Sequence, residues 1–94
     1  MMPTYGHVSL IGAGPGDPGL ITVRGREALM KADVVLYDRL GTEQLMHLCR
    51  PDARLIDVGK APDRVAMTQD ETTALLVQLG TEGHVVARLK GGDP

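Results

Sequence analysis

The sequence predicts an α/β fold, an open parallel sheet in β-α-β-α-β-α-β order with helices on both faces. Three observations carry this. Short β-branched runs alternate with amphipathic segments along all 94 residues, a pattern that requires crossover connections and hence parallel pairing. The run Asp33-Val-Val-Leu-Tyr37 is apolar on both faces, as a strand covered by helices on each side must be. Glycine, charge or both follow every strand-like run, at the edge where such sheets bind ligands.

The elements follow in order. His7–Gly12 is short, β-branched and closed by glycine, and reads as a strand. Gly12–Gly19 holds four glycines and two prolines and reads as a loop. The helix behind it cannot begin before Pro18, because a residue preceding proline avoids the α region. Thr22 is a good N-cap. From there to Ala32, the residues Val23, Ala28, Leu29 and Ala32 fall on one face. Asp33–Tyr37 is the second strand. Thr42 opens a short helix with Leu45, Met46, Leu48 and Cys49, which stops before Pro51. Ala53–Val58 is the third strand, and Gly59–Met67 a polar loop. Thr68-Gln-Asp-Glu71 is a capping box, with Leu75, Leu76 and Leu79 as the apolar face of its helix and Gly80 and Gly83 as its end. His84–Leu89 is the fourth strand, and Lys90–Pro94 a loop. With Val85–Leu89 expected at the outer edge of the sheet, its open backbone groups should favour a homodimer or other self-association.

Composition narrows the function. Ten Lys and Arg against twelve Asp and Glu give a net charge of −2, and Tyr5 and Tyr37 are the only aromatic residues. Neither a phosphate-backbone footprint nor a base-stacking platform is present, which excludes nucleic acid as the expected partner. No apolar run nears the roughly 20 residues of a membrane span. One cysteine, Cys49, fits a reducing cytoplasm. His7, His47 and His84 lack metal-ligand spacing, so no metal is expected.

Four segments meet at the carboxyl edge of the expected sheet: Gly12–Gly19, Asp38-Arg39, Gly59-Lys60 and Lys90–Pro94. The glycine loop lets backbone N–H groups approach a ligand closely. Asp38 ends the second strand, where a dinucleotide-binding fold carries its ribose-binding acid, but the G-x-G-x-x-G pattern fails at Asp17. Gly91-Gly92-Asp93-Pro94 repeats the Gly-Asp-Pro of the first loop. Arg39, Arg64 and Lys90 form a candidate basic rim; solvated surface charge is the plainer reading of each, as it is of Asp38 and Lys60.

Val8–Thr22, Ala32–Leu40, Val58-Gly-Lys60 and Val86–Pro94 resemble the tetrapyrrole methylases, most closely the members that C-methylate uroporphyrinogen III. The resemblance implies S-adenosylmethionine as methyl donor and a tetrapyrrole substrate, as in sirohaem and cobalamin biosynthesis. It matches the cofactor-binding positions to Pro15, Gly91, Gly92 and Asp93. It matches the proton acceptor to Asp38 and the proton donor to Lys60. The segment after Lys60 is less basic than the family usually carries there. The resemblance covers only the first of two domains, so residues 1–94 are expected to be a truncated N-terminal domain, inactive alone. The rival readings are a non-catalytic nucleotide- or partner-binding domain and a dinucleotide-dependent oxidoreductase domain.

Overall fold

The structure, a computed structural model, describes residues 5–14, 21–60 and 62–91. Strands β1 (His7–Gly12), β2 (Val34–Tyr37), β3 (Arg54–Asp57) and β4 (Val85–Lys90) form one sheet in the order β1-β4-β2-β3. Every pairing is parallel. Helix α1 (Val23–Lys31) joins β1 to β2, a 3-10 segment (Glu43–Leu48) joins β2 to β3, and helix α2 (Gln69–Thr81) joins β3 to β4.

The strand order corrects one expectation. β4 does not end the sheet; it lies inside, paired to β1 on one side and β2 on the other. Its Val86, Ala87 and Leu89 are buried, and a central position covers all three with backbone on both flanks. The edges are β1 and β3.

Handedness then distributes the connections. From β1 to β2 and from β2 to β3 the chain moves in the same direction across the sheet, and from β3 to β4 it moves back. Right-handed crossovers made in opposite directions lie on opposite faces. Accordingly Leu29 and Ala32 of the α1 crossover pack with Leu45 on one face, over Ile11, Val35, Ala87 and Leu89. Leu79 of α2 packs on the other face, over Val34, Leu36, Val58 and Val86. Each fully buried aliphatic side chain contributes about 1.5–3 kcal/mol, so the two layers hold the sheet from both sides.

Local signals explain the helix ends. Thr22 caps α1 by accepting from the Gly25 amide at 3.0 Å. The buried face of α1 is Gly25 and Leu29, and Val23, expected on that face, is exposed. Gly25 is there because the helix lies close on β1: a Cβ would stand 3.0 Å from Ile11 Cγ2. The capping box forms as written, with Thr68 Oγ1 accepting from the Glu71 amide and Glu71 Oε1 from the Thr68 amide. Helix α2 runs through Gly80 to Thr81, and Gly83, at φ 95°, ends it. The segment after Thr42 is a 3-10 turn rather than an α-helix. Its six residues are too few to reward α-helix nucleation.

Candidate functional site

The chain leaves β2 toward the α1 face and leaves β3 toward the α2 face. Adjacent parallel strands whose exits diverge in this way open a crevice beyond their carboxyl ends. Asp38 follows β2 and Gly59-Lys60 follow β3, so the two segments leave neighbouring strands at that divergent point.

They also touch. Val58 N–H donates to Tyr37 O at 2.9 Å, extending the ladder past β3. That bond brings Gly59 against Asp38: a Cβ on Gly59 would stand 2.5 Å from Asp38 Oδ1. Gly59 is buried, Asp38 half-buried and Lys60 exposed. The Leu40 amide donates to Asp38 Oδ1 at 3.2 Å, and the hydroxyl of fully buried Thr42 donates to the Asp38 carbonyl. The turn after β2 thus holds both the backbone and the side chain of Asp38.

The other two strand ends reach the same edge. Ala13 N–H donates to Lys90 O at 2.8 Å, and Gly14, at φ 75°, turns the chain away from β1. Gly91 lies beside the β2 turn, where a Cβ would stand 2.7 Å from Leu40 O. Backbone without side chains therefore faces the edge from β1 and β4 together. Pro15, Gly92 and Asp93 lie outside the described residues.

Charge at the edge is unevenly used. Arg39, Lys60 and Lys90 are exposed. Arg64 is engaged instead: its guanidinium lies 3.0 Å from Asp57 Oδ2. Arg88, on the central strand, is half-buried and donates to Leu89 O at 2.8 Å. Burial pulls its guanidinium below the ordinary arginine value, and the negative charge of Asp38 opposes that shift. Sequence reasoning passed over Arg88 and Asp57, and read Thr42 only as the opening of a helix. Arg88 carried a signal, a charge within the apolar run Val85–Leu89; Asp57 and Thr42 carried none, since their roles arise from turns. Among the described residues no group of three or more His, Cys, Asp and Glu side chains is arranged to hold a metal ion. Among the described residues no helix is long and apolar enough to cross a membrane.

A family profile for the tetrapyrrole (corrin/porphyrin) methylases matches residues 7–94. The chain belongs to this family. It is 51% identical over 94 residues to the uroporphyrinogen-III C-methyltransferase of Bacillus subtilis (strain 168), covering 100% of this chain and 20% of that protein. Among solved structures, the uroporphyrin-III C-methyltransferase of Thermus thermophilus is 42% identical with a TM-score of 0.79, over 95% of this chain and 36% of that one. The same Thermus thermophilus enzyme complexed with S-adenyl homocysteine is 40% identical with a TM-score of 0.67, over 95% of this chain and 34% of that one. The chain thus spans about a fifth of the length of the curated methylase and about a third of the crystallised ones. The motifs at the strand ends resembled this family, and the parallel α/β sheet is the architecture that its solved members share over this region.

Proposed function

We propose that the chain forms one wall of a site for S-adenosylmethionine-dependent C-methylation of uroporphyrinogen III to precorrin-2, in sirohaem and cobalamin biosynthesis. The observation that carries the reading is the contact of the Asp38 carboxylate with Gly59, the residue before Lys60, beyond the paired carboxyl ends of β2 and β3.

When bound, S-adenosylmethionine supplies an electrophilic methyl on sulfonium sulfur. Methyl transfer is an in-line displacement whose main demand on a protein is positioning. Gly14 and Gly91 present backbone without Cβ atoms at adjacent strand ends, which fits a nucleoside held by main-chain groups. Pro15, Gly92 and Asp93 are further cofactor-binding residues in this reading. A pyrrole carbon that gains a methyl leaves positive charge on the ring, which a proton loss removes. Asp38 is the acceptor for that proton, with its carboxylate held by the Leu40 amide. Lys60 is the donor from the opposite side of the crevice. The exposed cations of Arg39, Lys60 and Lys90 meet substrate carboxylates. The reading carries with it a cytoplasmic location and a homodimer.

Two measurements test it. Isothermal titration of the 94-residue chain with S-adenosylhomocysteine should give heat of binding, and titration with NAD should give none. Labelled methyl should pass to uroporphyrinogen III when the chain is grafted in place of the matching fifth of the Bacillus subtilis relative. A chain that binds NAD in preference, or a graft that folds but transfers no methyl, overturns the reading.

A further inference from the structure

Two carboxylates flank Gly59. A Cβ there would stand 2.5 Å from Asp38 Oδ1 and 3.3 Å from Asp57 Oδ1. Asp57, the last residue of β3, has a side chain only 17% exposed. It uses both oxygens. Oδ1 accepts the Gly59 amide at 2.9 Å, and Oδ2 lies 3.0 Å from the guanidinium of Arg64. Arg64 belongs to the loop that returns to the sheet where the Met67 amide donates to Val58 O at 3.0 Å. The turn that presents Lys60 is therefore held at its start by Asp57 and spanned by an ion pair.

The pair has a reason to be charged. The carboxylates of Asp38 and Asp57 lie close to the same glycine, and like charges in that arrangement repel. A guanidinium on Asp57 offsets that repulsion from the side away from Gly59. It leaves the Gly59 backbone free to lie against Asp38. A half-exposed pair of this kind adds little to global stability, so its effect falls on where the turn sits.

We propose that Asp57, braced by Arg64, is a positioning residue that fixes the Gly59 turn and so sets Lys60 beside Asp38. The proposal rests on the reading of Lys60 and Asp38 as the proton-transferring pair. Neither Asp57 nor Arg64 touches the reacting atoms in it.

The test separates the two levels. In the 94-residue chain, amide hydrogen exchange at Gly59 should be slow and should speed at least about tenfold in Asp57→Ala. Asp57→Asn, which keeps an acceptor oxygen, should retain most of the protection. In the graft used for methyl transfer, Asp57→Ala and Arg64→Met should lower kcat about 10–100-fold, the scale of a displacement near 1 Å. KM for S-adenosylmethionine should stay within about twofold in both, because no cofactor contact is lost. Arg64→Lys, which keeps the charge, should recover most of kcat. A Gly59 amide that exchanges as fast in the parent as in Asp57→Ala overturns the proposal. So does a folded Asp57→Ala or Arg64→Met graft with parental kcat. A parent graft with no methyl transfer but a protected, Asp57-dependent Gly59 amide upholds the held turn and refutes only the functional reading.

Discussion

Gly59 packs directly against the carboxylate of Asp38, across the junction of β2 and β3. The backbone of Gly59 is not in the left-handed region; what it supplies is the absence of a Cβ. Gly59→Ala would push a methyl to 2.5 Å from Asp38 Oδ1. The carboxylate is the far end of a side chain and gives way more easily than backbone. We expect a stability loss of about 1 kcal/mol or less by urea denaturation, since a side-chain shift can relieve the overpacking. Methyl transfer by the graft should fall at least about tenfold, because the acceptor is moved.

Gly6 gives the opposite balance. A Cβ there would stand 1.8 Å from the carbonyl oxygen of His84, which is backbone and cannot swing aside. The Gly6 amide also donates to Gly80 O at 2.8 Å, tying the start of β1 to the end of α2. Gly6→Ala should cost about 3 kcal/mol or more, at the upper end of overpacking effects. The check is the shift in urea midpoint at unchanged m-value.

The start of α2 predicts a pH effect. Bonding to the Thr68 amide, and secondly to its side chain, holds the Glu71 carboxyl below its ordinary 4.5. A carboxyl lowered in the folded state stabilises above its unfolded value, and that contribution is lost as pH falls through the folded value. Glu71→Gln should therefore flatten the acid side of the stability profile. Thr68→Ala should cost about 1 kcal/mol at neutral pH by removing the cap. Urea midpoints measured at a series of pH values below neutrality check both.

Self-association should use β1 rather than β4. Leu10 is 70% exposed on this edge strand, with Val8 38% exposed beside it. An open edge carrying apolar side chains is a template for further pairing. Light scattering of the 94-residue chain should show concentration-dependent association, and Leu10→Lys should reduce it. Unchanged association in Leu10→Lys would assign it to another surface.

Much of the fold was legible because its causes are local. The capping box needs only Thr68 and Glu71 three residues apart. The turn at Gly14 and the ends of β2, β3 and β4 are marked by glycine or charge; residues 15–19 of the expected Gly12–Gly19 loop lie outside the described residues. Val23 was misread because it sits on the first turn of a helix whose close approach to β1 is made through Gly25 instead. Gly80 was misread as a helix end because glycine is only a weak helix breaker, and the chain turns at Gly83, where φ is positive.

The sequence by itself determined the four strands, their parallel sense and the caps at Thr22 and Thr68. Each of these follows from residue type over a few positions. Only the tertiary structure decided that β4 lies between β1 and β2, that the chain leaves β2 and β3 toward opposite faces, and that Asp38 meets Gly59 while Arg64 reaches Asp57. Alternation along a strand records which face is buried and carries no record of which strand lies alongside. That choice is made by burial and crossover direction acting over the whole chain, and it brings Gly59, the residue before Lys60, against Asp38.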